Sequence, residues 1–190
     1  LKDIGLVKII DSSTVSLCLS LFPWAKFRKS KGGIKLHTVY DLNNEAPENI
    51  LITNAIIHDK EIFDKLKLDP SVTYLFDRAY IHYEKFDQFI KDDIYFVTRA
   101  KSNTKIEIIQ TTPLTTKDIQ TNVLLDADAM LGDHTSKTRM KYPMRLVKAK
   151  IIDKDNKEKT IDILTNRFDL KGRVIAELYK ERWQIELFFK

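Results

Sequence analysis

The chain reads as an α/β protein (mixed-sheet, α+β in character) with a β-rich stretch inserted late in the sequence. Three features predict this. Short β-branched and aromatic runs alternate early with turn residues, as in an antiparallel meander. A strand–helix–strand passage then requires a parallel crossover. From about Lys105 to Leu164 helical periodicity all but disappears, before an amphipathic stretch closes the chain. The changes of pattern divide it into a core over 1–104, a β-rich insertion over 105–165 and a core-completing C-terminal helix over 166–190.

In chain order, Leu6-Val7-Lys8-Ile9-Ile10 is a strand closed by Asp11. Alternation through Ser16-Leu17-Cys18-Leu19-Ser20-Leu21 predicts a half-buried extended segment, with Cys18 as a small buried hydrophobe. A basic loop from Pro23 to Gly33 follows, with Gly32-Gly33 as its turn. Trp24 and Phe27 within it are expected in the core, with stacking on a splayed base as the alternative. Ile34 to Tyr40 alternates again, placing Lys35 and His37 on one face, and Asn49 to Thr53 makes the next strand. Asp59 has the chemistry of an N-cap for a helix over Lys60 to Leu66, and His58 reads as a cap-region side chain or a metal ligand.

Val72 to Phe76 forms a strand closed by Asp77, a helix spans Ile81 to Lys91, and Ile94 to Thr98 returns as a strand ending in Arg99 and Lys101. The insertion holds β-type runs at Ile106–Ile109, Val123–Leu125, Met144–Ile152 and Thr160–Leu164, with Asp153 to Lys157 as a hairpin turn. Asp169 is the expected cap of the final helix.

Composition limits the function classes. Of 190 residues, 43% are hydrophobic and 31% charged, as in a folded globular chain. The sequence has no run of the roughly 20 apolar residues that a membrane span needs, and no secretory leader pattern. One cysteine rules out an internal disulfide framework. Glycine-rich phosphate loops, zinc-type Cys/His spacing and internal repeats are all missing. The net charge of +5 suits a polyanionic partner, and Lys26, Arg28, Lys29, Lys31 and Lys35 fall within ten residues of one another. The chain begins at Leu1 and stops inside a strong helical pattern, so it reads as an excerpt of a longer protein.

On that last helix Tyr179, Arg182, Glu186 and Lys190 fall within about an 80° arc, beside a buried stripe of Val174, Leu178, Ile185 and Phe189. Asp11 and Asp77, each closing a strand, belong at the carboxyl edge of the sheet. With Glu186 on a covering helix they make an oxygen donor set suited to two divalent cations. Asp126, Asp128 and Asp133 in the insertion are rival ligands.

The order of these pieces resembles the DDE transposases of bacterial insertion sequences, in the subgroup with a β-strand insertion and a Tyr-Arg-Glu-Lys signature. Carrying the resemblance are Asp11-Ser12-Ser13, Leu21 to Arg28, Lys35-Leu36-His37, Asp77-Arg78-Ala79-Tyr80, Val97 to Lys101, Leu164-Thr165-Asn166, Tyr179 and Arg182 to Lys190. It implies an RNase H-like core and a catalytic, metal-holding triad of Asp11, Asp77 and Glu186 with two Mg²⁺ or Mn²⁺ ions. It further implies cleavage and strand transfer at insertion-sequence ends, a homodimer in a synaptic complex, and a place at the nucleoid in the bacterial cytoplasm. Tyr179 and Arg182 carry over as DNA contacts.

Lys190, Lys26, Arg28, Lys29, Lys31, Lys35, His37, Arg78, Arg99 and Lys101 are the further residues expected to face DNA. Two departures stand out. The signature lysine falls beyond Lys190, and Ala79 stands where the family commonly has glycine. A nuclease that cuts without joining, an inactive DNA-binding remnant and a plain α+β binding domain are the competing readings.

Overall fold

The structure, a computed structural model, describes residues 4–29, 31–132, 139–152 and 156–190. Its strands are β1 (Val7–Leu17), β2 (Lys26–Arg28), β3 (Lys31–Asp41), β4 (Ala46–Asn54), β5 (Thr73–Phe76), β6 (Tyr95–Arg99), β7 (Ile106–Thr111), β8 (Val123–Leu131), β9 (Met144–Ile152) and β10 (Glu158–Thr165). They form one mixed sheet in the order β2-β3-β1-β5-β6-β10-β9-β8-β7, with β4 also paired to β3. This is the mixed α/β architecture expected of an RNase H-like core. The meander β1, β3 and β4 is antiparallel, and β1, β5 and β6 run parallel. β10 pairs with β6, so the strands of the β-rich segment extend the same sheet.

Strand alternation assigns each neighbour to a different layer. On one face Ile10, Phe76, Phe96 and Leu164 pack with Phe63, Tyr80 and helix α1 (Tyr83–Lys91), where the rings of Phe86 and Phe96 stack at 4.5 Å. On the other, Ile9, Leu75, Val97, Ile163 and Val147 pack against α3 (Gly172–Glu181) and α4 (Trp183–Phe188) through Ile175, Leu178 and Ile185. Asn166 finishes β6 by local mimicry of a strand: its side chain accepts from the Phe96 amide (2.9 Å) and donates to the Ile94 carbonyl (2.9 Å).

Several local expectations are corrected. β1 does not stop at Asp11 but runs on to Leu17, because β3 continues to pair with it. Gly32 and Gly33 lie inside β3 instead of forming a turn; a Cβ on Gly32 would stand 3.0 Å from the Leu17 carbonyl oxygen, so close strand approach is what requires glycine there. The segment after β4 is a 3₁₀ turn, Asp59–Asp64, capped by the His58 backbone, and the Asp59 side chain is engaged elsewhere. The last helix is capped by Lys171, while Asp169 pairs with Arg167 at 2.8 Å.

A short helix, α2 (Thr116–Gln120), stands in the β-rich segment where none was expected, closed at its N-terminus by a capping box of Thr115 with Asp118. Cys18 and Trp24 are exposed, Trp24 at 64%, because β1 and the 3₁₀ turn Pro23–Ala25 project past the covered part of the sheet. β9 and β10 pair as an antiparallel hairpin, though residues 153–155 of the expected turn lie outside the described residues, as does Asp133.

Asp126 is occupied. Its carboxylate takes Nε and Nη2 of Arg145 at 2.7 and 2.5 Å, both side chains being buried, and Arg145 Nη1 also donates to the Arg167 carbonyl at 3.0 Å. Asp128 sits opposite Arg145 in the β8–β9 register. α3 packs directly onto this pair, and a Cβ on Gly172 would come 2.8 Å from Asp126 Oδ2. Breaking a buried pair from one side strands the other charge, so Asp126→Ala is expected to lose about 3–5 kcal/mol of stability, read by urea denaturation; a loss under ~1 kcal/mol would show the pair to be dispensable.

Candidate active site

Asp11 and Asp77 come together through register. The parallel pairing of β1 and β5 ends at Ile10 opposite Phe76, so the next residue on each strand is an acid at the same level of the sheet edge. Both follow residues of the α3–α4 face, Ile9 and Leu75, by two positions and therefore turn toward α3 and α4. Burial along β1 falls away at this point: Val7–Ile10 are buried, Asp11–Ser13 intermediate, Thr14–Ser16 exposed. The first acid stands where the strand leaves its cover.

Asp77 caps the 3₁₀ turn Arg78–Tyr80, its Oδ1 accepting from the Ala79 amide at 3.0 Å. Ala79 is not among the residues of positive φ, so alanine there carries no backbone strain.

The final helical stretch supplies the rest. α3 and α4, expected as a single helix, meet at Arg182, whose backbone (φ −51°, ψ −27°) stays in the helical region. Leu178 and Ile185 of the expected stripe are wholly buried, with Val174 and Phe189 packed at its margins. Arg182 is 7% exposed and bridges two acids: Nη1 lies 3.3 Å from Asp11 Oδ2 and Nη2 lies 2.7 Å from Glu186 Oε1. Its Nε is buried without a partner, and the buried Tyr179 ring lies 6.0 Å from its guanidinium carbon.

The electrostatics agree with the geometry. Burial pushes the Asp11 carboxyl up to about 6; the Ser12 amide and Arg182 pull it back, while the charges of Asp77 and Glu186 add to the rise. Three carboxylates therefore share one neighbourhood with a single guanidinium among them. Among the described residues no three Asp, Glu, His or Cys side chains are gathered tightly enough, as they stand, to hold a metal ion. The donor chemistry nonetheless fits hard divalent cations, since all three acids offer oxygen and one positive charge leaves the cluster negative. The place between Asp11 and Glu186 is held by a cation already, the Arg182 side chain.

The expected DNA-facing residues separate into groups. Arg99 joins Tyr179 and Arg182 along a groove of about 750 Å³, between the β9–β10 hairpin and the end of α3, that Lys150, Lys159, Lys180 and Trp183 also line. Lys26, Arg28, Lys29 and Lys31 are exposed on and beside the β2–β3 hairpin, and Arg78, Lys101 and Lys190 are exposed as well. Lys35 and His37 are drawn inward on the face of β3 away from Asp11. Lys35 pairs with Asp59 at 3.1 Å, and His37 is 0% exposed and bonded to Thr53 Oγ1 at 2.9 Å. His58 is exposed and makes no side-chain cap hydrogen bond. Ser12 and Tyr80 entered the sequence reading only within motifs and Asp59 only as a cap; the structure bonds the Ser12 amide to Asp11 and the Ser12 hydroxyl to Asp59.

Comparison with known proteins gives the chain a family. A family model described as the transposase DDE domain matches residues 4–190. A provisionally named transposase of Sinorhizobium fredii is 31% identical over 186 residues, covering 98% of this chain and 51% of that protein. A Geobacillus stearothermophilus protein, named with similar reserve as the transposase of insertion sequence element IS5377, is 28% identical over 185 residues, 97% of this chain and 47% of that protein. The chain thus spans about half the length of the curated relatives it matches. No helix among the described residues is long and apolar enough to cross a membrane.

The raised Asp11 carboxyl has a signed consequence. Its folded value of about 6 exceeds the ordinary 3.8, so the folded chain holds the proton more tightly and stability declines as pH rises from about 4 to about 6. Asp11→Asn removes the buried charge. Without metal it is expected to be more stable than the parent at pH 7.5 by up to about 3 kcal/mol, with the difference vanishing near pH 4; thermal melts across that range read it, and a constant difference would refute it.

Proposed function

The chain belongs to the transposase DDE domain family, and from that premise we propose that it is the catalytic domain of an insertion-sequence transposase, cutting DNA at the element's ends and joining them to target DNA. The observation that carries the proposal is the meeting of Asp11 and Glu186 on Arg182, with Asp77 at the same strand level. Asp11, Asp77 and Glu186 would hold two Mg²⁺ or Mn²⁺ ions. When bound, such a pair lowers the cost of forming an oxygen nucleophile and stabilises the departing oxygen of an in-line phosphoryl displacement.

The chain's own residues do the rest. Asp77, fixed by its hydrogen bond to the Ala79 amide, and Asp11, fixed by the Ser12 amide at 2.8 Å, present their carboxylates just past the paired stretch of β1 and β5. Glu186 arrives from α4 and carries the third oxygen set. Arg182 has two possible classes of partner, these carboxylates and a backbone phosphate, and its planar fork suits either. A phosphate drawn into the groove beside Tyr179 and Arg99 takes the guanidinium away from Asp11 and Glu186. That exchange frees the acids when DNA is in place.

The exposed cations Lys26, Arg28, Lys29 and Lys31 on one side, with Arg78, Lys101 and Lys190, supply sequence-independent phosphate attraction. Lys35 and His37 are not assigned to DNA, being committed inside the sheet. The proposed partners are the element ends and target DNA, held by a pair of protomers in a synaptic complex at the nucleoid.

Asp11→Asn, Asp77→Asn and Glu186→Gln are expected to abolish strand cleavage in Mg²⁺ while DNA binding persists. An active Asp77→Asn protein would sink the assignment. Joining of a pre-cut 3′-hydroxyl end to a target duplex separates a transposase from a nuclease that only cuts. Arg182→Ala is expected to weaken binding to the element end about tenfold or more, the worth of a hydrogen bond to a charged group; unchanged binding in a gel-shift titration would make Arg182 purely structural.

A further inference from the structure

Behind Asp11, on the opposite face of β1, lies a half-buried polar cluster that the proposed reaction does not itself use. Ser12 is its centre. The Ser12 amide donates to Asp11 Oδ1 at 2.8 Å, and its hydroxyl donates to Asp59 Oδ1 at 2.9 Å. Asp59, the first residue of its 3₁₀ turn, also accepts from Lys35 Nζ at 3.1 Å, and the same ammonium donates to the Ile57 carbonyl at 2.9 Å. His37 Nδ1 stands 3.9 Å from the same carboxylate oxygen and has no hydrogen-bond partner.

Tyr80 ends the turn that Asp77 caps. It is wholly buried, and its hydroxyl reaches toward Ser12 without a well-formed hydrogen bond. Burial first, and then the charges of Asp11, Asp59 and Asp77, hold that phenol well above its ordinary range. One serine thus touches the strand of the first acid, the turn behind the second and a half-buried carboxylate.

Such a cluster is costly to bury when its polar atoms are incompletely paired, as His37 and Tyr80 are. Apolar residues would serve packing better. We propose that Asp59 is a positioning residue for Asp11, acting through Ser12: Asp59 fixes the Ser12 side chain, and the Ser12 peptide so held fixes the Asp11 carboxylate for cation binding. The inference rests on the reading that Asp11 is a metal-holding residue. It follows the general rule that ligating carboxylates are themselves held by hydrogen bonds from a surrounding layer. Lys35 completes the cluster by neutralising Asp59, which explains why a lysine of the basic run turns inward.

The test is Mn²⁺ binding to the purified protein saturated with a short DNA duplex, by calorimetry against the duplex alone as blank, with the thermal midpoint measured in parallel. Ser12→Ala and Asp59→Asn are expected to weaken Mn²⁺ by about 10-fold or more, the usual effect of losing an outer-layer partner. Ser12→Thr, which keeps the hydroxyl, is expected to bind as the parent does, and Ser12→Ala to melt within a few degrees of it. Parent-like binding by both Ser12→Ala and Asp59→Asn, when Asp11→Asn has lost Mn²⁺, overturns this proposal alone. Weakening that Ser12→Thr fails to rescue, and that follows the melting temperature, reduces the cluster to a structural one and also overturns it. Parent-like Mn²⁺ binding by Asp11→Asn removes the metal-holding reading and this proposal with it.

Discussion

Surplus negative charge at one point of the sheet edge governs what surrounds it. Asp11 is buried enough that its carboxyl is held up to about 6, with the charges of Asp77 and Glu186 contributing to the rise. Like charges brought this close require a cation. In the structure the counter-charge is Arg182, whose two terminal nitrogens reach Asp11 and Glu186. The junction of α3 and α4 at Arg182, the burial of Tyr179 beside it and the capping of a turn by Asp77 all border on this arrangement. An arginine is a serviceable counter-ion for an acid pair and an equally good phosphate ligand.

The sheet provides the rigidity that such a site demands. β1 and β5 are central and parallel, buried on both faces, and their common register sets the two aspartates at one level. The β-rich segment joins the same sheet through β10 and β6, so the groove between its hairpin and α3 is held to the frame that holds the acids. The buried pair of Asp126 and Arg145 anchors α3 onto that frame. Arg145 and Arg167 are spent wholly inside the protein, Arg167 reaching the Ile4 carbonyl and Thr73. A count of basic residues therefore overstates the charge presented to a polyanion.

Local pattern alone determined a good deal: the mixed α/β class, the strands around Asp11 and Asp77, the bounds of β9, and the buried stripe of Leu178 and Ile185. These depend on alternation, β-branched runs and helical spacing, which are properties of neighbours in the chain. That Asp11 and Asp77 follow apolar runs on neighbouring strands was also legible. Only the tertiary structure decided that a guanidinium stands between Asp11 and Glu186, since that depends on where a helix end meets a strand 171 positions away. Only it decided that Lys35 and His37 turn inward, that Gly32 lies within a strand, and that Asp59 and Ser12 stand behind Asp11. Each of these follows from long-range pairing, and a sequence records which side chains are available without recording which of them share a buried volume.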